Sequence, residues 1–499
     1  MLCPGRAQLK PRKATVRKLY EPHQTPSQNT VLDSSALLLY FDGPATATGE
    51  DVLELHVHGG PAIVKAVLAA VSRCASPSIG PIRYAEPGEF TRRAFMNNRL
   101  DLTQVEALGD TLAADTEQQR RLSVRGTSGT LAKQYESWRE QLLYARGELE
   151  ALIDFSEDQH FDESPSELMS SVSEQVKVLQ ASLRVHSQNA MRGELLRSGI
   201  SLSLLGAPNA GKSSLLNRIV GREAAIVSNE AGTTRDIVEI SLDLGGYLCR
   251  FGDTAGLRKA IEADLGSGKS AAQISQIEQE GMRRAKARAD ESDTVIVVFS
   301  FELDEAGHAV LNLDPEVCEM AQRLSQKKDN VLVALNKADL TGDDVDLRRQ
   351  AKKQVCEKLP RLDPASIHFI SCLESKEQHK AIQAFLDGLI SQFGKLTSAL
   401  TLHDNTGSQR QDLSIWQESL GASERHRVLL EQSITHLDDF VAEAEGSTTS
   451  AEDEEADIVL AAEHLRAAAD CLAKITGRGE AGDVEEVLGV VFEKFCVGK

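Results

Sequence analysis

No apolar run in this sequence approaches the roughly 18 residues that a membrane-crossing helix needs, so no transmembrane span is expected. Positive charge is also in short supply: 75 acidic against 55 basic side chains leave a formal net charge of −20. That balance argues against a broad, nonspecific grip on nucleic acid, and any RNA contact has to be local or shared with a basic partner. The eight cysteines form no C-x-x-C pair and do not cluster with histidines at zinc spacing, which fits a reducing compartment. Cys496 lies in the terminal run Phe495-Cys-Val-Gly-Lys499, but from the residues alone it reads as a spare thiol.

What is present is more informative. Gly206-Ala-Pro-Asn-Ala-Gly211-Lys212-Ser213-Ser214 matches G-x-x-x-x-G-K-[ST] directly after the apolar run from Ile200 to Leu205, which predicts a strand, a phosphate loop and a helix. Gly206 and Gly211 let backbone N–H groups turn inward, Lys212 reaches the β/γ-phosphates, and the Ser213 hydroxyl suits Mg²⁺. Asp253-Thr254-Ala255-Gly256 has the form of a switch II motif, and Ser228-Asn-Glu230-Ala-Gly232-Thr233-Thr234 that of switch I, with Thr234 as a second Mg²⁺ ligand. Asn336-Lys337-Ala338-Asp339 ends a third strand, Val331 to Leu335; the Asp339 carboxylate can accept from guanine N1–H and the exocyclic amine, donors that adenine lacks at that edge. The position after Gly256 holds Leu257 where some GTPases carry a water-orienting glutamine, so hydrolysis needs another group. Glu278, which opens an amphipathic helical pattern, is either that group or an ordinary carboxylate at a helix N-terminus.

Ahead of this module, Ala36 to Tyr40 is strand-like and Asp51 to His58 alternates, predicting Leu53, Leu55 and Val57 toward the core and Glu54, His56 and His58 on the opposite face. That polar face is read as ordinary strand polarity, with a metal or a small polar ligand as alternatives. Thr103-Gln-Val-Glu106 reads as a capping box opening a long helical stretch to Ile153, and helical pattern resumes from Ser166 to about Arg197. It returns after Phe393 in Leu413–Leu420, Val428–Ala444 and Ile458–Ile475, with Gly477 as the stop. The simplest architecture is a helical bundle interrupted by a complete nucleotide-binding domain. The basic first twenty residues could form a transit peptide, which their prolines argue against.

With these pieces placed, the chain resembles the MnmE (TrmE) family of tRNA-modification GTPases over nearly its whole length. The resemblance rests on Pro11-Arg-Lys-Ala14, Phe41-Asp-Gly-Pro44, Thr48-Gly-Glu-Asp51, His58-Gly-Gly-Pro61, Glu86-Pro-Gly-Glu-Phe-Thr-Arg-Arg-Ala-Phe95, Asn98-Arg-Leu-Asp-Leu102, Asp154-Phe155, the nucleotide motifs and the terminal Cys-Val-Gly-Lys499. It implies a multidomain α/β plus all-α protein: an α+β tetrahydrofolate-binding and dimerisation domain over 1–102, a helical domain over 103–197 and 397–499, and an inserted P-loop G domain over 198–396. It implies that Glu54, Arg99 and Lys499 line a pocket for a one-carbon tetrahydrofolate, with Cys496 nearby. Asn209 would ligate K⁺ together with Ser228, Glu230 and Thr233, and Ala210 and Ser371 would join the GTP site. Glu278 would orient the attacking water, reversing the reading from residues alone. Members act with an FAD- and NADH-using partner, MnmG, on the wobble uridine of certain tRNAs. The expected product is a carboxymethylaminomethyl-type group on mitochondrial tRNA, made in the matrix by a homodimer. A ribosome-assembly GTPase and a nucleotide-binding scaffold without modification activity are the alternatives. Members begin with a further strand carrying a folate-contacting arginine, and this sequence starts after it; either the reading frame is cut short, transit peptide included, or the pocket is incomplete.

Overall fold

The computed structural model describes residues 1–77, 80–155, 165–220, 225–228, 240–252, 288–342, 344–373, 376–402, 416–449, 457–478 and 488. The described chain divides into two compact units, one of Met1–Ala113, Gly126–Gln180 and Leu429–Lys499, the other of Ala114–Arg125 and Ala181–Val428. The protein is therefore multidomain, mixing α/β with all-helical architecture.

In the first unit, strands β1 (Thr15–Tyr20), β2 (Val31–Phe41) and β3 (Val52–His56) form an antiparallel sheet in that order. Helix Pro61–Ser72 starts with proline in its first turn, where a missing N–H costs nothing, and buries Val67 against Leu19, Ala36 and Leu38. Each of these valine and leucine side chains contributes roughly 1.5–3 kcal/mol when fully buried. Leu55 and Val57 join this core as expected, but Leu53 does not: it is 51% exposed. It pairs with Tyr40 near the end of β2, beyond the Ala36 and Leu38 positions against which the helix core forms.

The long helix expected from Thr103 is three. Helices span Leu102–Ala113, Glu117–Gly126 and Thr130–Phe155. The first begins two residues early because the cap is Asp101, not Thr103. Asp101 Oδ1 accepts from Gln104 N (2.9 Å) and Thr103 Oγ1 (2.6 Å), while Gln104 Oε1 accepts from Asp101 N (3.0 Å). This reciprocal pair satisfies orphan donors, and Thr103 ends up buried in the first turn. Thr116 and Gln119 repeat the arrangement at the next break. Gly129, at φ 74°, makes the third. Helix Pro165–Ser198 follows. Near the C-terminus helix Ile458–Thr476 ends at Gly477 (φ 81°), where Arg478 N returns to Ala473 O, as the glycine stop predicts. It packs along helix Thr130–Phe155, with Arg478 paired to Glu136 at 2.6 Å. Leu488 is buried against Leu102 and Val105.

The second unit carries the nucleotide-binding sheet. Its strands are β4 (Ile200–Gly206), β5 (Ala225–Ser228), β6 (Ile240–Leu244), β7 (Tyr247–Phe251), β8 (Thr294–Leu303), β9 (Ala309–Asn312), β10 (Val331–Asn336) and β11 (Ile367–Phe369). The order is β11-β10-β8-β4-β7-β6-β5, with β9 on β8. From β11 through β7 neighbours run parallel, and β6 and β5 add an antiparallel edge. The central strands are continuous hydrophobic runs: every residue of β10 is buried. A parallel sheet covered on both faces requires this, and two separate cores lie on its sides. Among the described residues no helix is long and apolar enough to cross a membrane.

Candidate functional site

β4 ends at Gly206, the loop 207–211 follows, and helix Lys212–Arg218 begins. Two glycines of this loop are steric necessities. A Cβ at Gly206 would lie 2.5 Å from Val298 O on β8, and one at Gly211 would lie 2.0 Å from Asn336 Nδ2. Gly211 also has φ 92°, and Asn209 sits in the same left-handed region at φ 61°. Left-handed residues in a strand-to-helix turn let backbone N–H groups gather around a phosphate. Lys212 Nζ folds over the loop, donating to Gly206 O (2.8 Å) and Ala207 O (2.7 Å). Ser213 is half-buried and Ser214 exposed.

The neighbouring strand ends bring the Asn336–Asp339 motif alongside. Asn336, the buried last residue of β10, donates from Nδ2 to Ala210 O at 2.9 Å and so ties the guanine motif to the phosphate loop. Lys337 then turns left-handed (φ 56°). Ala338 N bonds to Ile370 O, and Ser371 Oγ donates to Asp339 Oδ1 at 2.6 Å, orienting the carboxylate. Arg348 braces the turn from behind: Nε donates to Thr341 Oγ1 (2.9 Å), Nη2 to Gly342 O (2.9 Å), and its guanidinium lies over the Phe369 ring at 5.8 Å.

The structure therefore brings together Asn209, Ala210, Gly211, Lys212, Ser213, Asn336, Lys337, Asp339 and Ser371 at the carboxyl ends of β4, β10 and β11, the edge where open α/β sheets take ligands. Ser228 ends β5. Glu230, Gly232, Thr233, Thr234, Asp253, Thr254, Ala255, Gly256, Leu257, Glu278, Cys496 and Lys499 lie outside the described residues. Sequence reading passed over Cys372, whose Sγ lies 3.6 Å from Asn336 Oδ1 and whose thiol is pushed up to about 11 by burial. Its place directly after Ser371 was the available signal. Arg348 had none: an arginine inside helix Val345–Lys358 reads as surface charge.

In the first unit Glu54 and His56 share a face of β3, with His56 Nε2 and Glu54 Oε2 at 3.0 Å. His58 leaves that face for Asp33, whose buried carboxylate accepts from His58 N and Ser35 N (both 2.8 Å) and meets His58 Nδ1 at 3.0 Å. Burial pushes the Asp33 carboxyl up, but these bonds outweigh it and hold it below its ordinary value. Arg99 Nε donates to Thr46 O. The Glu86–Phe95 run builds a separate cleft of about 350 Å³ lined by Glu50, Arg83, Glu86, Glu89, Arg93 and Asn97 among others; neither Glu54 nor Arg99 lines it. Bonds from Arg83, then Arg93, then Glu86 N hold the Glu89 carboxyl down to about 2.

Residues 102–496 match the MnmE helical domain, and residues 1–99 match the GTP-binding protein TrmE N-terminus. The chain belongs to the MnmE family of tRNA-modification GTPases. Among its MnmE relatives, the mitochondrial 5-taurinomethyluridine-[tRNA] synthase subunit GTPB3 of Danio rerio is 37% identical over 98% of this chain and 86% of its own length. The tRNA modification GTPase MnmE of Parvibaculum lavamentivorans is 37% identical over 99% of this chain and 92% of its own. The mitochondrial tRNA modification GTPase MSS1 of Saccharomyces cerevisiae is 34% identical over 98% and 85%. As an MnmE-family member, the chain is a GTPase of tRNA modification.

Proposed function

We propose that the chain acts in mitochondria as a K⁺-stimulated GTPase that, with an FAD/NADH flavoprotein of the MnmG type, installs an aminomethyl-type group at the wobble uridine of tRNA. The observation that carries this reading is the bonded pair of motifs: Asn336 fastened to Ala210 and Asp339 oriented by Ser371. That geometry suits a guanine nucleotide held at both ends, in a chain whose relatives are named for tRNA modification. Mg²⁺ would be held by Ser213 and Thr234 and would neutralise phosphate charge. The Gly206–Gly211 cradle and Lys212 fit such a ligand. K⁺ would be held by Asn209, exposed at its left-handed position, with Ser228, Glu230 and Thr233, and would supply positive charge where other GTPases use an arginine. Lys212 binds and positions phosphate, and Glu278 orients water in place of Leu257.

A one-carbon tetrahydrofolate is the proposed donor, held in the first unit by Glu54, Arg99, Cys496 and Lys499. Leu488 is buried against Leu102, in the same unit as Glu54 and Arg99. The group attached is either carboxymethylaminomethyl or the taurinomethyl that names the Danio rerio and human relatives. The domains are read as 1–102, 103–197 with 397–499, and 198–396, with dimerisation through the first.

The decisive experiment is nucleoside mass spectrometry of mitochondrial tRNA from a deletion strain, with GTP turnover of the purified chain in K⁺ and in Na⁺. Loss of the wobble modification supports the proposal, and its mass identifies the group. An unchanged wobble uridine overturns it, and equal turnover in both salts removes the K⁺ site.

A further inference from the structure

Helix Glu424–Thr449 and helix Ile458–Thr476 run side by side in the first unit beyond Leu429. Two hydrogen bonds set their register. Ser433 Oγ donates to Ala468 O at 3.1 Å, and Asp457 N donates to Glu443 Oε1 at 3.1 Å. As numbering rises on one helix it falls on the other, so the helices are antiparallel and the position facing His436 is His464. Asp439, three residues on from His436, shares its face of the helix. One ligand atom from each of His436, Asp439 and His464 falls within 4.8 Å of the others.

We propose that these three side chains bind a divalent transition-metal ion, Zn²⁺ foremost. Two imidazoles and one carboxylate form a nitrogen-rich set that selects zinc-like cations over Mg²⁺ and Ca²⁺, which prefer oxygen. Tetrahedral coordination at about 2.1 Å requires ligand atoms about 3.4 Å apart, within reach of small rotamer changes from the observed spacing. The two histidines are half-buried at the edge of the helix seam, with Ser433, Leu437, Phe440, Leu465 and Ala468 buried behind them. That backing holds two ligands on rigid elements, while exposed Asp439 leaves an entry path and a fourth position for water. A bound ion would clamp the two helices together, a role separate from GTP hydrolysis and independent of the function proposed above.

The test uses the full chain, stripped with chelator and then saturated with GDP and Mg²⁺ so that the nucleotide site is filled. Calorimetric titration with ZnCl₂ should show one more equivalent in the wild type than in the His436→Gln/His464→Gln double variant. Asp439→Asn, at an exposed side chain, should weaken that equivalent by at least about tenfold with an unchanged circular dichroism spectrum. Zn²⁺ should raise the melting temperature of the wild type and not of the double variant. Equal stoichiometry and affinity in wild type and double variant would overturn the site. Should the double variant fail to fold, unaltered Zn²⁺ affinity in Asp439→Asn would overturn it alone.

Discussion

At the scale of single residues, the proposed guanine preference would rest on the charge and orientation of Asp339. Ser371 Oγ fastens one carboxylate oxygen at 2.6 Å, and the carboxylate can accept two donors only while it remains an acceptor at both oxygens. Asp339→Asn replaces one acceptor with a donor, so GTP affinity should fall by about 100-fold or more, because a buried N–H of the base is left unpaired. Xanthosine triphosphate, which carries an oxygen where guanine has its amine, should bind the variant better than GTP does. Competition binding with both nucleotides checks this, and an unchanged preference for GTP would remove Asp339 from base reading. Under the proposed function, Glu278→Ala addresses the other end of the nucleotide. Turnover should be lost with GTP affinity nearly intact, since a water-orienting group contributes to the transition state more than to ground-state binding. Retained single-turnover hydrolysis would exclude it.

At the scale of elements, close backbone approach limits what the fold tolerates. Gly193, inside helix Pro165–Ser198, faces the carbonyl of Leu420, and a Cβ there would lie 1.8 Å from that oxygen. Arg197 adds a bond to Gly421 O nearby, so the helix and the 420–421 turn cannot simply part. Gly193→Ala should therefore destabilise by about 1–3 kcal/mol despite its better helix propensity. Urea unfolding measures it, and a change within about 0.5 kcal/mol would mean the helix shifts freely. Asp33, on β2, makes a second case. Asp33 has a folded-state carboxyl below its ordinary value of 3.8, so the unfolded chain takes up its proton first on acidification. Its contribution is fully present above that value and disappears as pH falls through the lower, folded one. Unfolding curves between pH 6 and roughly pH 2–3 should fall less steeply with acid for Asp33→Asn than for the wild type; parallel curves would mean the Asp33 carboxyl is not held down in the folded chain. The caps show how far such elements can be read in advance. The helix stop at Gly477 was legible because glycine, with no Cβ, takes a left-handed cap without strain. The N-terminus at Asp101 was misplaced by two residues, because Asp-Leu-Thr-Gln104 and Thr-Gln-Val-Glu106 overlap and only coordinates tell which side chain turns back.

At the scale of the whole molecule, the net charge of −20 sets the terms on which RNA can be engaged. Neutralising phosphates requires clustered cations, and long-range repulsion from an acidic body opposes them. The chain alone should therefore bind tRNA weakly. Under the proposed function, adding the flavoprotein should strengthen binding and steepen its salt dependence, because it would supply the cations this chain lacks. Filter binding over a salt series checks this, and equal slopes with and without partner would place the RNA surface on this chain. The division into two compact units suits such a protein, since the nucleotide sheet and the N-terminal sheet each have their own core.

The sequence by itself determined the nucleotide motifs, the strand-loop-helix that carries them and the family. Each of these depends on neighbours a few residues apart, where backbone sterics and hydrogen-bonding types leave few choices. Only the tertiary structure decided that Asn336 fastens the phosphate loop 126 residues away, that His58 serves Asp33, that Leu53 stays in water, and that His436 faces His464. Those depend on the register of one element against another, which is set by packing across the chain and leaves no local mark.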